Sequence, residues 1–234
     1  MSSLPDTSAS SANVLQAQPR WMDRLATTTT YFISPLVLPP VLFGLIVAHF
    51  GASTQEVMAT MLGALVLLGF VPLFYLGWMV RHHRALSIEV RDRRRRTAPF
   101  LVAIAAYVTA LGLVLLWGDT AKPLVVAILG ISIGNSLLLM AITWRWKISI
   151  HASSVGGFVA LLWLVAVLWR DVPAPMLHSG WAALLVLLVP LVMWARVRVQ
   201  AHTTVQVWVG ALFGLLVPSA ELWLMYRSGL LAGL

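Results

Sequence analysis

The sequence predicts an all-α membrane protein, a polytopic bundle of about seven transmembrane helices. Of its 234 residues, 60% are hydrophobic and only 10% are charged, and the mean hydropathy is +0.88. A soluble domain carries about 25% charged residues. The chain has no cysteine, which excludes disulfides and thiolate chemistry. Membrane topology and phosphate binding explain the net charge of +8 better than a nucleic-acid partner does, and no nucleic acid is expected.

The chain divides into an N-terminal tail, residues 1–30, and a transmembrane domain, residues 31–234. The tail is rich in Ser, Ala and Thr, and we expect disorder up to about Arg20. Trp21, Met22 and Leu25 indicate either a short interfacial helix or an ordered coil.

Seven apolar segments, each near the length of about 20 residues that a helix needs to cross a bilayer, follow the tail. They are Tyr31–Phe50, Val57–Val80, Pro99–Trp117, Pro123–Thr143, Val155–Trp169 (extended back to about Ala152), Leu177–Ala195 and Val205–Tyr226. The first contains Pro35, Pro39 and Pro40, so we expect it to be kinked or to begin late.

Small and polar residues within these segments predict helix packing. Gly130 and Gly134, like Gly210 and Gly214, are spaced so that two helices can approach closely. Asn135 is expected to form a buried hydrogen bond between helices.

Basic residues are distributed unequally between the two sides of the predicted bundle. We call the side that holds the second-to-third, fourth-to-fifth and sixth-to-seventh connections the basic face. With seven spans it also holds the N-terminus, and it carries thirteen of the sixteen Lys and Arg residues, against three on the far side. The positive-inside rule makes the basic face cytoplasmic. The prediction is an integral protein of a bacterial-type inner membrane with its site on the cytoplasmic side.

Three polar stretches return to the basic face, since two helices separate each from the next. They are Arg91–Thr97, Lys147–His151 and Arg196–Gln206. Arginine and lysine stabilise the oxygens of a phosphoryl group, and histidine can act as its nucleophile or as a general acid. The three stretches together therefore predict a phosphate site. The arginine run alone is equally typical of a loop that binds lipid head groups.

The spacing of these residues resembles the type 2 phosphatidic acid phosphatase superfamily of integral membrane lipid phosphatases. That family's third motif is Ser-Arg, five residues, His, three residues, Asp; this chain has Ala195-Arg196, five residues, His202, three residues and Gln206. Its second motif, Pro-Ser-Gly-His, corresponds to Ile148-Ser149-Ile150-His151. Its first motif, Lys, six residues, Arg-Pro, survives only as an arginine-rich run from Asp92 to Pro99.

The resemblance implies a six-helix phosphatase-like core plus one helix, and it implies roles. His202 would be the nucleophile that forms a phosphohistidine, and His151 would protonate the leaving group. Phosphate oxygens would be bound by Arg196, Ser149 and an arginine of the run, Arg93 or Arg96. Lys147 has no counterpart in the motif, but its position places it in the same cradle.

Departures from the family pattern leave two functions open. Gln206 can orient His202 through its amide oxygen but cannot supply the negative charge of the family's Asp. The first hypothesis is hydrolysis of a lipid phosphate or diphosphate, isoprenoid or glycerolipid. The alternative is a catalytically degenerate relative that binds anionic lipid or serves as a subunit of a membrane complex. No clustered Asp pair is present to hold a metal-bound diphosphate, so we expect no metal and no cofactor. No oligomeric state is predicted.

Overall fold

A computed structural model describes residues 20–85, 90, 92–117, 120–172 and 185–231. The described elements are all helices, as expected. Two predictions concern residues outside these ranges. They are the disorder before Arg20 and the first half of the sixth apolar segment, Leu177–Ala195. The helices are α1 (Arg20–Phe32), α2 (Leu38–His49), α3 (Thr54–Arg81), α4 (Thr97–Trp117), α5 (Lys122–Arg145), α6 (Ile150–Leu168), α7 (Leu188–Arg198) and α8 (Thr204–Arg227).

Five of these helices, α3, α4, α5, α6 and α8, are long and apolar enough to cross a membrane. They match five of the predicted segments within a few residues at each end. The count of seven is not confirmed. Helix α2 has only 12 residues, and α7 is described only from Leu188 on, after a short 3-10 turn at Leu185–Leu187.

The first apolar segment is divided between two helices. Helix α1 runs through Phe32, so the boundary drawn after residue 30 falls inside it, and the chain then bends before α2. Pro39 and Pro40 occupy the first turn of α2, where a missing N–H costs no intrahelical hydrogen bond. The late start predicted from the prolines is therefore confirmed. Of the two alternatives for Trp21, Met22 and Leu25, the helix is the one that forms.

Helix α3 widens at its middle into a π-helical turn, Leu65–Phe70. The N–H of Val71 bonds the carbonyl of Val66, five residues back, and Pro72 follows without an N–H of its own. A π turn inside an α-helix often accompanies a functional site. Here the turn and the residues after it supply Leu68, Pro72 and Leu73 to the wall of a cavity.

Helices α6 and α8 form the closest helix pair of the bundle, because glycines let their backbones meet. A Cβ on Gly214 would collide with the Ser153 carbonyl, and one on Gly210 would lie 2.5 Å from the Ser149 carbonyl. Close packing at this glycine pair is confirmed. The same prediction for Gly130 and Gly134 is wrong, since a Cβ on either would meet no atom within 4 Å.

Asn135 forms the interhelical hydrogen bond that the sequence predicts. Its Nδ2 donates to Oε2 of Glu221 at 2.7 Å and joins α5 to α8 inside the bundle. At the far end, the His49 ring contacts the Trp169 carbonyl at 3.0 Å, and the Thr120 N–H donates to Glu56 at 3.0 Å. These contacts hold the ends of α2 and α6, and of α3 and α5, together.

Candidate functional site

The three polar stretches meet at the basic face and are hydrogen-bonded to one another. Arg96 Nε donates to the Val90 carbonyl at 2.8 Å, and its Nη1 donates to the Ile148 carbonyl at 3.3 Å. The Ser149 N–H then donates to the Gln206 carbonyl at 3.3 Å. Buried Arg96 thus links the start of α4 to the start of α6. The bond from Ser149 to Gln206 links the start of α6 to α8.

A tight turn between α7 and α8 brings His202 back towards Arg196. The N–H groups of Ala201 and His202 both donate to the Arg196 carbonyl, at 3.1 and 3.3 Å. Gln200 has a φ of +53°, the left-handed conformation that lets the chain reverse. Helix α8 begins at Thr204 with Thr203 as its N-cap, so His202 precedes the helix and does not lie on its face. The side chains of both Arg196 and His202 are buried.

Gln206 sets the tautomer of His202, although His202 precedes the helix. Its Oε1 accepts the Thr203 N–H at 3.3 Å in a capping box, which identifies this amide atom as the oxygen. The same Oε1 lies 3.0 Å from His202 Nδ1. Nδ1 must therefore carry the proton and donate it, which leaves a lone pair on Nε2.

His202 is held neutral by its surroundings. Burial lowers the pKa of its imidazole from the ordinary value to about 3, and the Arg96 guanidinium acts in the same direction. The hydrogen bond from Gln206 opposes this shift, whereas the charges of Arg196 and Lys147 add to it. At neutral pH the ring is therefore uncharged and Nε2 can act as a nucleophile.

His151 is the second residue of α6, so it lies at a helix N-terminus. Its ring forms a hydrogen bond with the backbone of Thr30 in α1, and it interacts electrostatically with Arg96, Arg196 and His202. The N-terminal helix therefore contributes to the site, which neither the interfacial helix nor the ordered coil considered for this segment predicted. A run of four threonines at the end of α1 was the available signal.

One cavity of about 490 Å³ joins these residues. We call Arg96, His151, Arg196 and His202, which all line it, the cationic cluster. Away from the cluster most of the wall is apolar, with side chains such as Leu42, Phe100, Phe158, Leu161 and Pro218. A chamber with cations at one end and apolar walls elsewhere suits an amphiphile with an anionic head group.

Three residues predicted to bind phosphate lie beside this cavity rather than on its wall. Ser149 is fully buried as the N-cap of α6, and its Oγ accepts the Ala152 N–H at 3.4 Å. Arg93 Nη1 donates to the Trp144 carbonyl at 2.6 Å. Lys147 is half-buried and close enough to act on the pKa of His202.

Polar residues that the sequence reading did not assign to the site also line the cavity. Thr30 lies in α1 and Ser34 in the connection from α1 to α2. Ser132, Asn135 and Ser136 belong to α5. Their positions i, i+3 and i+4 put the last three on one helical face, which was the signal in the sequence. Within the described ranges, no three His, Asp or Glu side chains come together in a way that could hold a metal ion.

Comparison of the chain with protein-family models, with curated proteins and with solved structures finds no match. The resemblance to type 2 phosphatidic acid phosphatases therefore rests on the three motifs alone.

Proposed function

We propose that this protein hydrolyses the phosphate or diphosphate monoester of a lipid through a phosphohistidine on His202. The observation that carries the proposal is the cationic cluster. Two buried arginines and two histidines line one end of a cavity whose remaining wall is mostly apolar. Arginine is suited to phosphate oxygens because its planar guanidinium donates two parallel hydrogen bonds. The apolar wall suits the lipid chain of the substrate, isoprenoid or glycerolipid.

In the first step, Nε2 of His202 attacks the terminal phosphorus, and the bond from that phosphorus to the leaving oxygen breaks. The leaving group is the lipid alcohol of a monophosphate or the lipid monophosphate of a diphosphate. Gln206 keeps the Nδ1 proton in place, so the nucleophilic lone pair stays on Nε2. Arg96 and Arg196 stabilise the charge on the equatorial oxygens. His151 gives its proton to the departing oxygen. Negative charge on the bound phosphate favours protonation of this ring beforehand, because it offsets the opposing charges of Arg96 and Arg196.

In the second step, water attacks phosphorus and the bond to Nε2 breaks. His151, now without its extra proton, accepts one from the attacking water. Inorganic phosphate leaves, and both histidines return to their starting states. For a monophosphate, the lipid alcohol and phosphate together contain the atoms of the substrate and one water. For a diphosphate, the lipid monophosphate and phosphate do.

A phosphate-release assay on the purified protein tests the proposal, with a diacylglycerol phosphate and a polyprenyl diphosphate as substrates and a chelator present. We expect turnover that falls about 100-fold or more in His202→Ala, because the nucleophile is lost. His82→Ala is the matched control, since His82 is exposed near the basic face and contacts Trp78 rather than the cavity. Turnover that persists in His202→Ala would reject the mechanism.

The alternative, a protein that binds anionic lipid without turnover, is favoured by one observation. Gln206 is uncharged and its Oε1 is shared between His202 and the Thr203 N–H, so it stabilises an imidazolium less than a carboxylate would. This alternative predicts no turnover in the parent protein. It also predicts that Arg196→Ala abolishes lipid binding whereas His202→Ala has little effect.

A further inference from the structure

A second polar group of the cavity lies deep in the bundle, far from the cationic cluster. Asn135 is about ten residues before Arg145, the last residue of α5, whereas His151 is in the first turn of the next helix. At 1.5 Å of rise per residue, Asn135 therefore lies roughly 15 Å below the basic end of the bundle. Ser132 and Ser136 share its helical face, and all three residues line the cavity.

Asn135 has an acceptor that no described group satisfies. Its Nδ2 donates to Glu221, which identifies the other amide atom as the oxygen. That oxygen, Oδ1, is buried without a hydrogen-bond partner, and the residue as a whole is only 9% exposed. A buried polar atom left unpaired is costly, and such atoms in native proteins normally have a partner.

The two serines beside it also present acceptors. Ser132 Oγ donates its proton to the Ile128 carbonyl at 2.8 Å, and Ser136 Oγ donates to the Ser132 carbonyl at 2.7 Å. Each hydroxyl has one proton and two lone pairs, so both oxygens can still accept. These three oxygens on one helical face can accept hydrogen bonds from a ligand that carries a donor.

We propose that Asn135, Ser132 and Ser136 form a subsite that binds a hydroxyl group in the middle of the lipid chain, while the cationic cluster holds the phosphate. The inference rests on the proposed function for the phosphate end of the ligand. A neutral hydroxyl suits this depth because a charged donor would have to lose its hydration inside the membrane. The substrate class is thus a lipid phosphate with a hydroxyl group in the middle of its chain.

Binding of alkylphosphonates to the purified protein tests the subsite separately from turnover, since their carbon–phosphorus bond is not hydrolysed. The probes are octadecylphosphonate with one mid-chain hydroxyl and its isomer with the hydroxyl at the chain end. We expect the mid-chain isomer to bind the parent protein about three- to tenfold more tightly, the effect of one net hydrogen bond. Equal dissociation constants for the two isomers overturn the subsite, and are expected if an ordered water alone satisfies Asn135. Failure of both isomers to bind also overturns it.

Variants assign any preference to the named residues. Asn135→Ala should abolish the difference between the isomers, and Ser136→Ala, which leaves the bond from Asn135 to Glu221 intact, should reduce it. Ser219→Ala is the matched control, because Ser219 also donates to its own helix, to the Leu215 carbonyl at 2.6 Å, but does not line the cavity. A preference unchanged in Ser136→Ala and in any folded Asn135→Ala protein overturns the assignment. If the parent protein prefers the mid-chain isomer but releases no phosphate from lipid phosphates, only the proposed hydrolysis is contradicted.

Discussion

Gln206 orients the His202 ring through a hydrogen bond, although it lacks the negative charge of an aspartate. The resemblance alone puts an aspartate where Gln206 stands, and the geometry explains why the amide still works as a partner. Its oxygen accepts from both the Thr203 N–H and His202 Nδ1. The spacing of four residues was enough to predict this contact. The predicted segment began at Val205, close to the observed start of α8 at Thr204, but the sequence did not identify Thr203 as the N-cap.

Gln206→Asp should restore the charged partner and hold or raise turnover, since a carboxylate stabilises the imidazolium better than an amide does. The pKa of His202, about 3 in the parent, should rise. The neutral nucleophile is lost as pH falls through that pKa, so the acid limb of kcat/KM should move to higher pH in the variant. The pH profiles of the two proteins check this shift. An unmoved acid limb would mean that another group governs it.

Ser149 has a structural explanation that competes with phosphate binding. Its hydroxyl caps α6 and lies off the cavity wall. Ser149→Ala should therefore lower the free energy of unfolding by about 1 kcal/mol, as loss of an N-cap does, with little change in KM. Thermal unfolding and steady-state kinetics together separate the two roles. Ser149→Thr, which keeps the cap, is the control, and a large rise in KM for Ser149→Ala without loss of stability would restore the phosphate-binding role.

At the scale of helices, glycine spacing predicted one packing contact correctly and one incorrectly. Both pairs are four residues apart, but only Gly210 and Gly214 face another helix closely. Two glycines four residues apart allow the backbone of another helix to approach. Whether a helix lies there depends on the tertiary arrangement. Segment boundaries were more predictable, because hydropathy and length constrain each span directly. The π turn in α3 left no comparable pattern apart from Pro72.

Gly214→Ala should destabilise the bundle, because the new methyl group would meet backbone atoms of Ser153 and Gly157 that cannot rotate away. Overpacking of this kind costs about 1–3 kcal/mol or more. Gly134→Ala is the matched control: it adds the same methyl group to a helical glycine that has open space beside it. Its stability should be unchanged or slightly raised, since Ala favours helix over Gly. Equal unfolding temperatures for the two variants would contradict the close α6–α8 contact.

At the scale of the whole molecule, α4, α6 and α8 all begin at the cationic cluster. This order was predictable from counting apolar segments. The cavity was not, because its wall is assembled from residues of all eight helices, including Thr30 of a helix outside the family-like motifs. Periodicity identifies which residues share a face but not which faces enclose a common space.

Reporter fusions at both ends test the membrane topology. The basic residues predict a cytoplasmic N-terminus and a C-terminus on the far side. Opposite reporter signals at the two ends are expected for an odd number of spans, whereas a common side would refute seven spans. The short helix α2 would then be the first element to reconsider, because 12 residues rise only about 18 Å.

The most direct test of the central claim is to trap the covalent intermediate. The purified protein would be mixed with a radiolabelled diacylglycerol phosphate or polyprenyl diphosphate, quenched rapidly under alkaline conditions and digested. We expect a label that is stable in base and labile in acid on the peptide that contains His202, and no label on that peptide in His202→Ala. Turnover with the label on another residue would contradict the phosphohistidine mechanism, and so would turnover with no trapped label at any quench time.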